Sequence, residues 1–201
     1  MLVKSYDLPS NRKLEIHTDE TPENPRDYDN NGIMICFHKR YNLGDEHNYK
    51  SCDFSSLEEI EMQIRKDYDV ATLLCLYLMD HSGLSITTDH NKFAICDPMH
   101  WDWGQVGFIF TTREHLKEMG HPDNVDIDEV EMWLLDEVKI YNQYLSGDTY
   151  GFQIKKLCEH CGNKTNTIES CWGFYGSDIF ENGIIDVLSA EDADMLRKTI
   201  K

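Results

Sequence analysis

Two groups of residues in this 201-residue chain are of types that do chemistry. The first is His38, Asp45, His47, Asp80 and His81, imidazoles and carboxylates near the ends of strand-like segments. Such a set suits zinc, manganese or iron in a hydrolytic centre. Its spacing matches no metal motif, and the plainer reading makes His38 a strand-end residue and His81 part of the turn Asp80-His81-Ser82-Gly83. The second group is Cys158-Glu-His-Cys161, a C-x-x-C turn followed by Cys171 on the returning strand. A knuckle of this kind supplies two of zinc's four ligands. Cys171 is the candidate third, with Cys52, Cys96 or a histidine as the fourth, so the cofactor reading is either none or one structural zinc. Ordinary reduced thiols and a redox pair compete with it, although a redox C-x-x-C usually opens a helix and this one sits in a hairpin turn. Ser82 lacks a nucleophile elbow, and no cysteine has a base that the sequence identifies. Gly104-Gln-Val-Gly107 and Trp172-Gly-Phe-Tyr-Gly176 are not followed by the helix start and lysine of a phosphate loop.

The charge balance is the strongest bulk signal. Asp and Glu number 37 against 19 Lys and Arg, a net charge of −18, which argues against a conventional basic nucleic-acid binder. Residues 123–137 hold seven acids and no Lys or Arg. A soluble acidic surface is the plain explanation, and nucleic-acid mimicry is the sharp one. A domain of this size spans roughly 40 Å, and that length of duplex carries on the order of 24 phosphates. One face reaches that density only if most of the acids gather on it. Among aromatics, Trp101, Trp103, Trp172, Tyr144 and Tyr175 read either as a core cluster packed on glycines or as a partly exposed platform for a partner or nucleotide.

These residues need elements to hold them. Lys13–Thr18 alternates as a strand and Ile33–Phe37 is a second strand, the two separated by a loop with Pro22, Pro25 and Asn31-Gly32. Ser56 with Glu59 forms a capping box ahead of Leu57, Ile60 and Ile64, which predicts a helix from 57 to about 67. Val70–Met79 is nearly all apolar and reads as a buried central strand, with a turn and a half-exposed strand from Leu84. Gln105–Thr111 is another strand, and Thr111 with Glu114 caps a short helix ending at Gly120. The longest helix starts near Asp126. Its stripe Ile127, Val130, Leu134, Val138, Tyr141, Leu145 is core, and Asp128, Glu131, Asp136 and Glu137 lie mainly off it. Asp148–Leu157 and Thr167–Phe174 form a Cys-containing hairpin within 148–176, and Ser189 opens a last helix. Without a repeat or a linker, the expectation is one α+β domain over residues 1–201, mostly antiparallel sheet with three to four helices.

The segments Asn24–His47, Leu76–Gly83, Trp103–Phe110, Tyr144–Phe152 and Cys171–Gly176 together resemble a family of uncharacterised proteins of phages and mobile elements in low-GC Gram-positive bacteria. The resemblance runs in order from about residue 13 to 187. Members of that family read Cys-Pro-Trp-Asp-Ser-Gly-Gln where this chain has Pro98-Met-His-Trp-Asp-Trp-Gly-Gln105, which implies a different target if the loop is a recognition surface. What the resemblance implies is context, an accessory gene expressed in a host bacterial cytoplasm. No leader-like apolar segment opens the chain, no apolar run approaches the ~18 residues of a span, and seven cysteines without an export signal are expected to be reduced.

Taken together, the sequence favours a non-enzymatic protein that binds a host protein, one with a basic nucleic-acid-binding surface, and so inhibits a nucleic-acid-targeting defence. It is not expected to bind nucleic acid directly or to enter a membrane. Asp128, Glu131, Asp136, Glu137, Trp101, Trp103 and Tyr175 are the expected contacts. The alternative is a small metal-dependent hydrolase or nucleotide-binding protein using His38, His47, Asp80 and His81.

Overall fold

The computed structural model describes residues 1–200. In chain order the elements are β1 (Leu2–Leu8), β2 (Arg12–Thr18), β3 (Ile33–Cys36), α1 (Leu57–Asp67), β4 (Val70–Asp80), β5 (Leu84–Thr87), α2 (His90–Cys96), β6 (Trp103–Thr112), α3 (Arg113–Glu118), α4 (Ile127–Ser146), β7 (Thr149–Leu157), β8 (Lys164–Tyr175), α5 (Ile184–Val187) and α6 (Ala190–Thr199). The chain is α+β, with two antiparallel four-stranded sheets ordered β1-β2-β7-β8 and β3-β6-β4-β5. It divides into two compact units, one made of Met1–Glu23 with the chain from Gly147 onward, the other of Asn24–Ser146.

In the Asn24–Ser146 unit the sheet is covered on both faces, which is why β4 is apolar almost throughout. Leu76 and Leu78 join Met34, Ile109, Leu134 and Val138 on the α4 side, while Leu73 and Cys75 join Phe108, Phe110, Ile60 and Ile64 on the α1 side. The two-residue period of the strand therefore feeds two cores at once. Gly107 sits where a Cβ would lie 1.9 Å from the carbonyl oxygen of Ile35, so β3 can pair with β6 only against a glycine. At α1 Ser56 caps as expected, accepting from the N–H of Glu59, while the Glu59 carboxylate reaches one residue further back than a capping box requires and accepts from the N–H of Ser55. At α3 the cap is Thr112 rather than Thr111, its hydroxyl accepting from the N–H of His115 at 3.0 Å; Thr111 is fully buried in β6.

The outward side of α4 is not uniformly acidic. Met132, Leu135 and Ile140 are exposed on it beside Asp128 and Asp136.

In the other unit, Leu14 and Ile16 of β2 and Phe152 and Ile154 of β7 pack with Ile184, Ile185 and Leu196 from α5 and α6. Arg12 clamps α6 to β2, each of its two terminal nitrogens 2.8 Å from one oxygen of buried Asp192. On the opposite face Glu15 is buried beneath Lys155 and Lys164. Burial pushes its pKa up, but the two ammonium groups outweigh that and leave it below the usual carboxylate value. Gly151 packs directly under the Trp172 indole, the glycine-on-aromatic contact the sequence suggests.

Candidate functional site

Three strand ends of the Asn24–Ser146 unit frame an open cleft of about 330 Å³. Leu78, Trp103 and Val106 form a buried apolar floor, and His38, Arg40, Asp80, Trp101, Asp102, Gly104 and Gln105 form the walls. Val106 is an extra residue in β6, because Leu76 pairs with Gly107 while Tyr77 pairs with Gln105. A bulge of this kind bends a strand and re-aims its side chains.

The polar groups of the cleft are held in specific roles. His38 Nδ1 accepts from the backbone N–H groups of Arg40 and Tyr41 at 3.3 and 3.2 Å, which assigns the ring proton to Nε2 and makes that atom a donor. Its ring stacks on Tyr41, with centroids 5.0 Å apart. Arg40 is paired with Asp80 and lies 5.5 Å from the Tyr41 ring centre. His81 Nδ1 lies 2.8 Å from an Asp102 carboxylate oxygen, an arrangement that orients the imidazole and leaves Nε2 to accept or return a proton. The N–H of Asp80 donates to the carbonyl of Asp102 at 2.8 Å, tying the two segments together.

Beside the cleft, the loop joining α2 to β6 is built on Asp97. Its carboxylate accepts from the N–H groups of Met99 at 3.2 Å, Trp101 at 2.7 Å and Asp102 at 3.0 Å. Its carbonyl accepts from the Trp103 indole N–H at 2.8 Å. These bonds, that of Asp102 foremost, hold the Asp97 carboxyl below its ordinary value. His100, at φ 55°, stacks on Trp103 at 4.2 Å. The ordered loop and the end of α2 leave Ile95, Met99 and Trp101 80%, 73% and 81% exposed.

The structure thus brings His38 and Asp80 into one cleft, with His81 joined to it through Asp102. His47 is elsewhere. Its Nε2 lies 3.1 Å from the Cys36 carbonyl, and its ring packs edge-on to Phe37. Asp45 is also structural. With Glu137 it encloses Arg26, whose side chain is 3% exposed. Arg26 donates to Asp45 at 2.8 and 2.7 Å, to Glu137 at 2.9 Å and to the carbonyl of Gly32 at 2.6 Å. Burial pulls the Arg26 pKa down, but the bonds to Asp45 and Glu137 override it and leave the guanidinium above its ordinary value. Glu137, 12% exposed, also accepts from the N–H groups of Asn31 and Gly32, so it anchors the 24–34 loop and, contrary to the sequence expectation, does not belong to an acidic contact face. Asp128 and Asp136 are exposed and Glu131 half-buried.

Trp103 is buried in the cleft floor and cannot serve as an outer contact. Tyr175 is partly buried, with its hydroxyl donating to the carbonyl of Glu23 at 2.7 Å. The zinc set fails on register. Cys158 and Cys161 share the β7–β8 turn, but Cys171 pairs with Phe152, five positions along β7 from Leu157, about 16 Å away. Among the described residues no three His, Cys, Asp or Glu side chains are grouped to hold a metal ion. All seven cysteines are free thiols.

Sequence reasoning gives Arg40 and Asp97 no role, and it meets Asp102 and Gly104 only as parts of the 98–105 segment and of a glycine pair that lacks the context of a phosphate loop. Asp97-Pro98 carries a turn signal for the loop, whereas the Asp80–Arg40 and His81–Asp102 pairs join distant segments and have no local signature.

No family model, no curated protein and no solved structure matches this chain. Among the described residues no helix is long and apolar enough to cross a membrane.

Proposed function

We propose that this chain is a non-enzymatic interaction protein that binds a basic protein of a bacterial host, and that Ile95, Met99 and Trp101 are its principal apolar anchors. One observation carries the reading: three large apolar side chains are more than 70% exposed around a loop that Asp97 holds in a single shape. A Trp on a pre-ordered loop is favourable for binding because little conformational entropy remains to be lost. Exposure of this kind on an otherwise acidic protein marks a surface used for contact.

The net charge of −18 favours a basic partner by steering its approach. Asp128, Glu131 and Asp136 on α4 are the acids assigned to that role. A nucleic-acid-binding protein of a host defence system fits this charge, with carboxylates standing in for phosphates. The cleft beside the loop draws on three of the five segments through which the chain resembles the phage and mobile-element family. The proposed setting is therefore an accessory protein in the host cytoplasm.

The test is capture from host lysate with three proteins: the natural chain, Met99→Ser with Trp101→Ser, and Asp128→Asn with Glu131→Gln and Asp136→Asn. The loop variant is expected to lose the captured protein at every salt concentration, since each anchor removed costs about 2 kcal/mol or more. The acid variant is expected to bind more slowly, mainly at low salt. Recovery of the same proteins at the same yield by all three would remove the loop and α4 from the interface.

A further inference from the structure

We propose that the cleft between His38, Arg40, Trp101 and Gly104 is a binding site for a nucleoside monophosphate. The inference shares Trp101 with the partner reading but rests on a different observation, which begins with Gly104. A glycine inside a strand weakens it and usually answers to a left-handed backbone or to a neighbour that leaves no room for a side chain. Gly104 meets neither need. Its φ lies outside the left-handed region, and a Cβ built on it has nothing within 4 Å. The contrast is Gly107 in the same strand, where the Ile35 carbonyl forbids any side chain. What a side chain at 104 would occupy is the open cleft that this residue lines, so the glycine keeps that space empty.

The chemistry around the space selects its occupant. Both carboxylates in the wall are already matched, Asp80 by Arg40 and Asp102 by His81. The groups left to face a ligand are donor-rich: the Nε2–H of His38, the remaining N–H groups of Arg40, whose side chain is 68% exposed, and the Gln105 amide. A guanidinium and an imidazole N–H lining one cleft suit the oxygens of a phosphate. The Trp101 indole, also lining the cleft, offers a flat face for a base, a contact that tolerates any base because each has a π face. At about 330 Å³ the cleft lies at the small end of ligand sites, enough for one nucleotide. The net charge of −18 disfavours polyphosphates and nucleic-acid strands, whose charge the few donors here cannot balance.

The experiment is titration of the full chain with adenosine and uridine 5′-monophosphates, read by calorimetry and by amide NMR, with adenosine and inorganic phosphate as separate probes. Binding of either monophosphate is expected, with shifts centred on His38, Arg40 and Gly104, and with the nucleoside and the free phosphate each at least ~10-fold weaker. Gly104→Val is expected to abolish binding while leaving the melting temperature equal or higher, because valine favours a strand and meets nothing there. Arg40→Gln, at an exposed position, is expected to raise Kd ~10-fold or more through loss of a charge-assisted bond. The proposal is overturned if neither monophosphate binds the folded natural chain. It is equally overturned if Gly104→Val binds as well as the natural chain, or if adenosine alone matches the monophosphate.

Discussion

Replacing Arg26 with Met tests whether Asp45 and Glu137 belong to the framework or to a site. Methionine fills a similar volume but removes the four contacts Arg26 makes to Asp45, Glu137 and the Gly32 carbonyl, all at 2.6–2.9 Å. Two carboxylates then face each other without a counter-ion. Breaking a buried pair costs about 3–5 kcal/mol. Asp45 is 24% and Glu137 12% exposed, so water softens the loss and about 3 kcal/mol is expected, or ~6–12 °C in melting temperature.

Urea unfolding followed by tryptophan fluorescence is a suitable assay, because Trp101, Trp103 and Trp133 lie in the same unit as the triad and only Trp172 lies in the other. The deficit should depend on pH. Burial already pushes the Glu137 pKa above its ordinary 4.5, outweighing the bonds from Arg26 that lower it. Without Arg26 the Glu137 carboxyl moves further up. A carboxylate with a raised folded pKa loses stability as pH rises through that value and regains it below the ordinary one, so the variant's deficit should shrink between pH 7 and about pH 4. Arg113→Met, at an exposed arginine 3.8 Å from Asp69, is the control and should change stability by less than about 0.5 kcal/mol. Equal unfolding of the two variants at pH 7, or a deficit indifferent to pH, would refute the buried triad.

Other consequences are open to direct measurement. Asp192→Ala removes the bidentate partner of Arg12 and the acceptor of the Ser189 hydroxyl; it should cost about 3 kcal/mol, seen as loss of hydrogen-exchange protection in α6. Asp97→Ala should speed exchange at the amides of Met99, Trp101 and Asp102 without unfolding the chain. Because the Asp97 pKa is depressed, acidification should leave those amides protected down to its ordinary 3.8 and release them only as pH falls through the lower folded value. Timed alkylation should modify exposed Cys52, Cys96, Cys161 and Cys171 first and Cys36 last, since Cys36 is buried and its thiol is pushed up to about 12. Cys161→Ser should leave the melting curve unchanged, and a stoichiometric zinc lost with that substitution would contradict the register argument.

Local signals placed most of the elements. Ser56 and Glu59, the apolar run of β4 and the stripe of α4 each carry their structure within a few residues, so they were legible. Strand β1 carries little signal because most of its residues are exposed and only Leu8, with Tyr6 beside it, reaches the core. Helix α2 carries little periodic signal because Phe93 is its one buried residue. The chain's return to the first unit at Gly147 carries no linker composition to announce it. At the cleft, residue type marks His38 and Asp80, which line it, and His81, which reaches it through Asp102. It could not separate them from His47 or Asp45, whose different fates depend on contacts with Cys36 and Arg26. Nor could it see that Glu137, one position from exposed Asp136 on the same acidic helix, turns inward to an arginine more than a hundred residues earlier in the chain.

In the proposed interaction the Asp97-ordered loop presents Ile95, Met99 and Trp101 to a basic partner. Its most direct test is the association and dissociation kinetics of that partner, once captured, across a range of salt. With the natural chain, association should slow steeply as salt rises while dissociation changes little. With Trp101→Ser, dissociation should accelerate at least ~30-fold, the equivalent of a 2 kcal/mol anchor, while the salt dependence of association is kept. Dissociation rates that are the same for the natural chain and Trp101→Ser would contradict the claim.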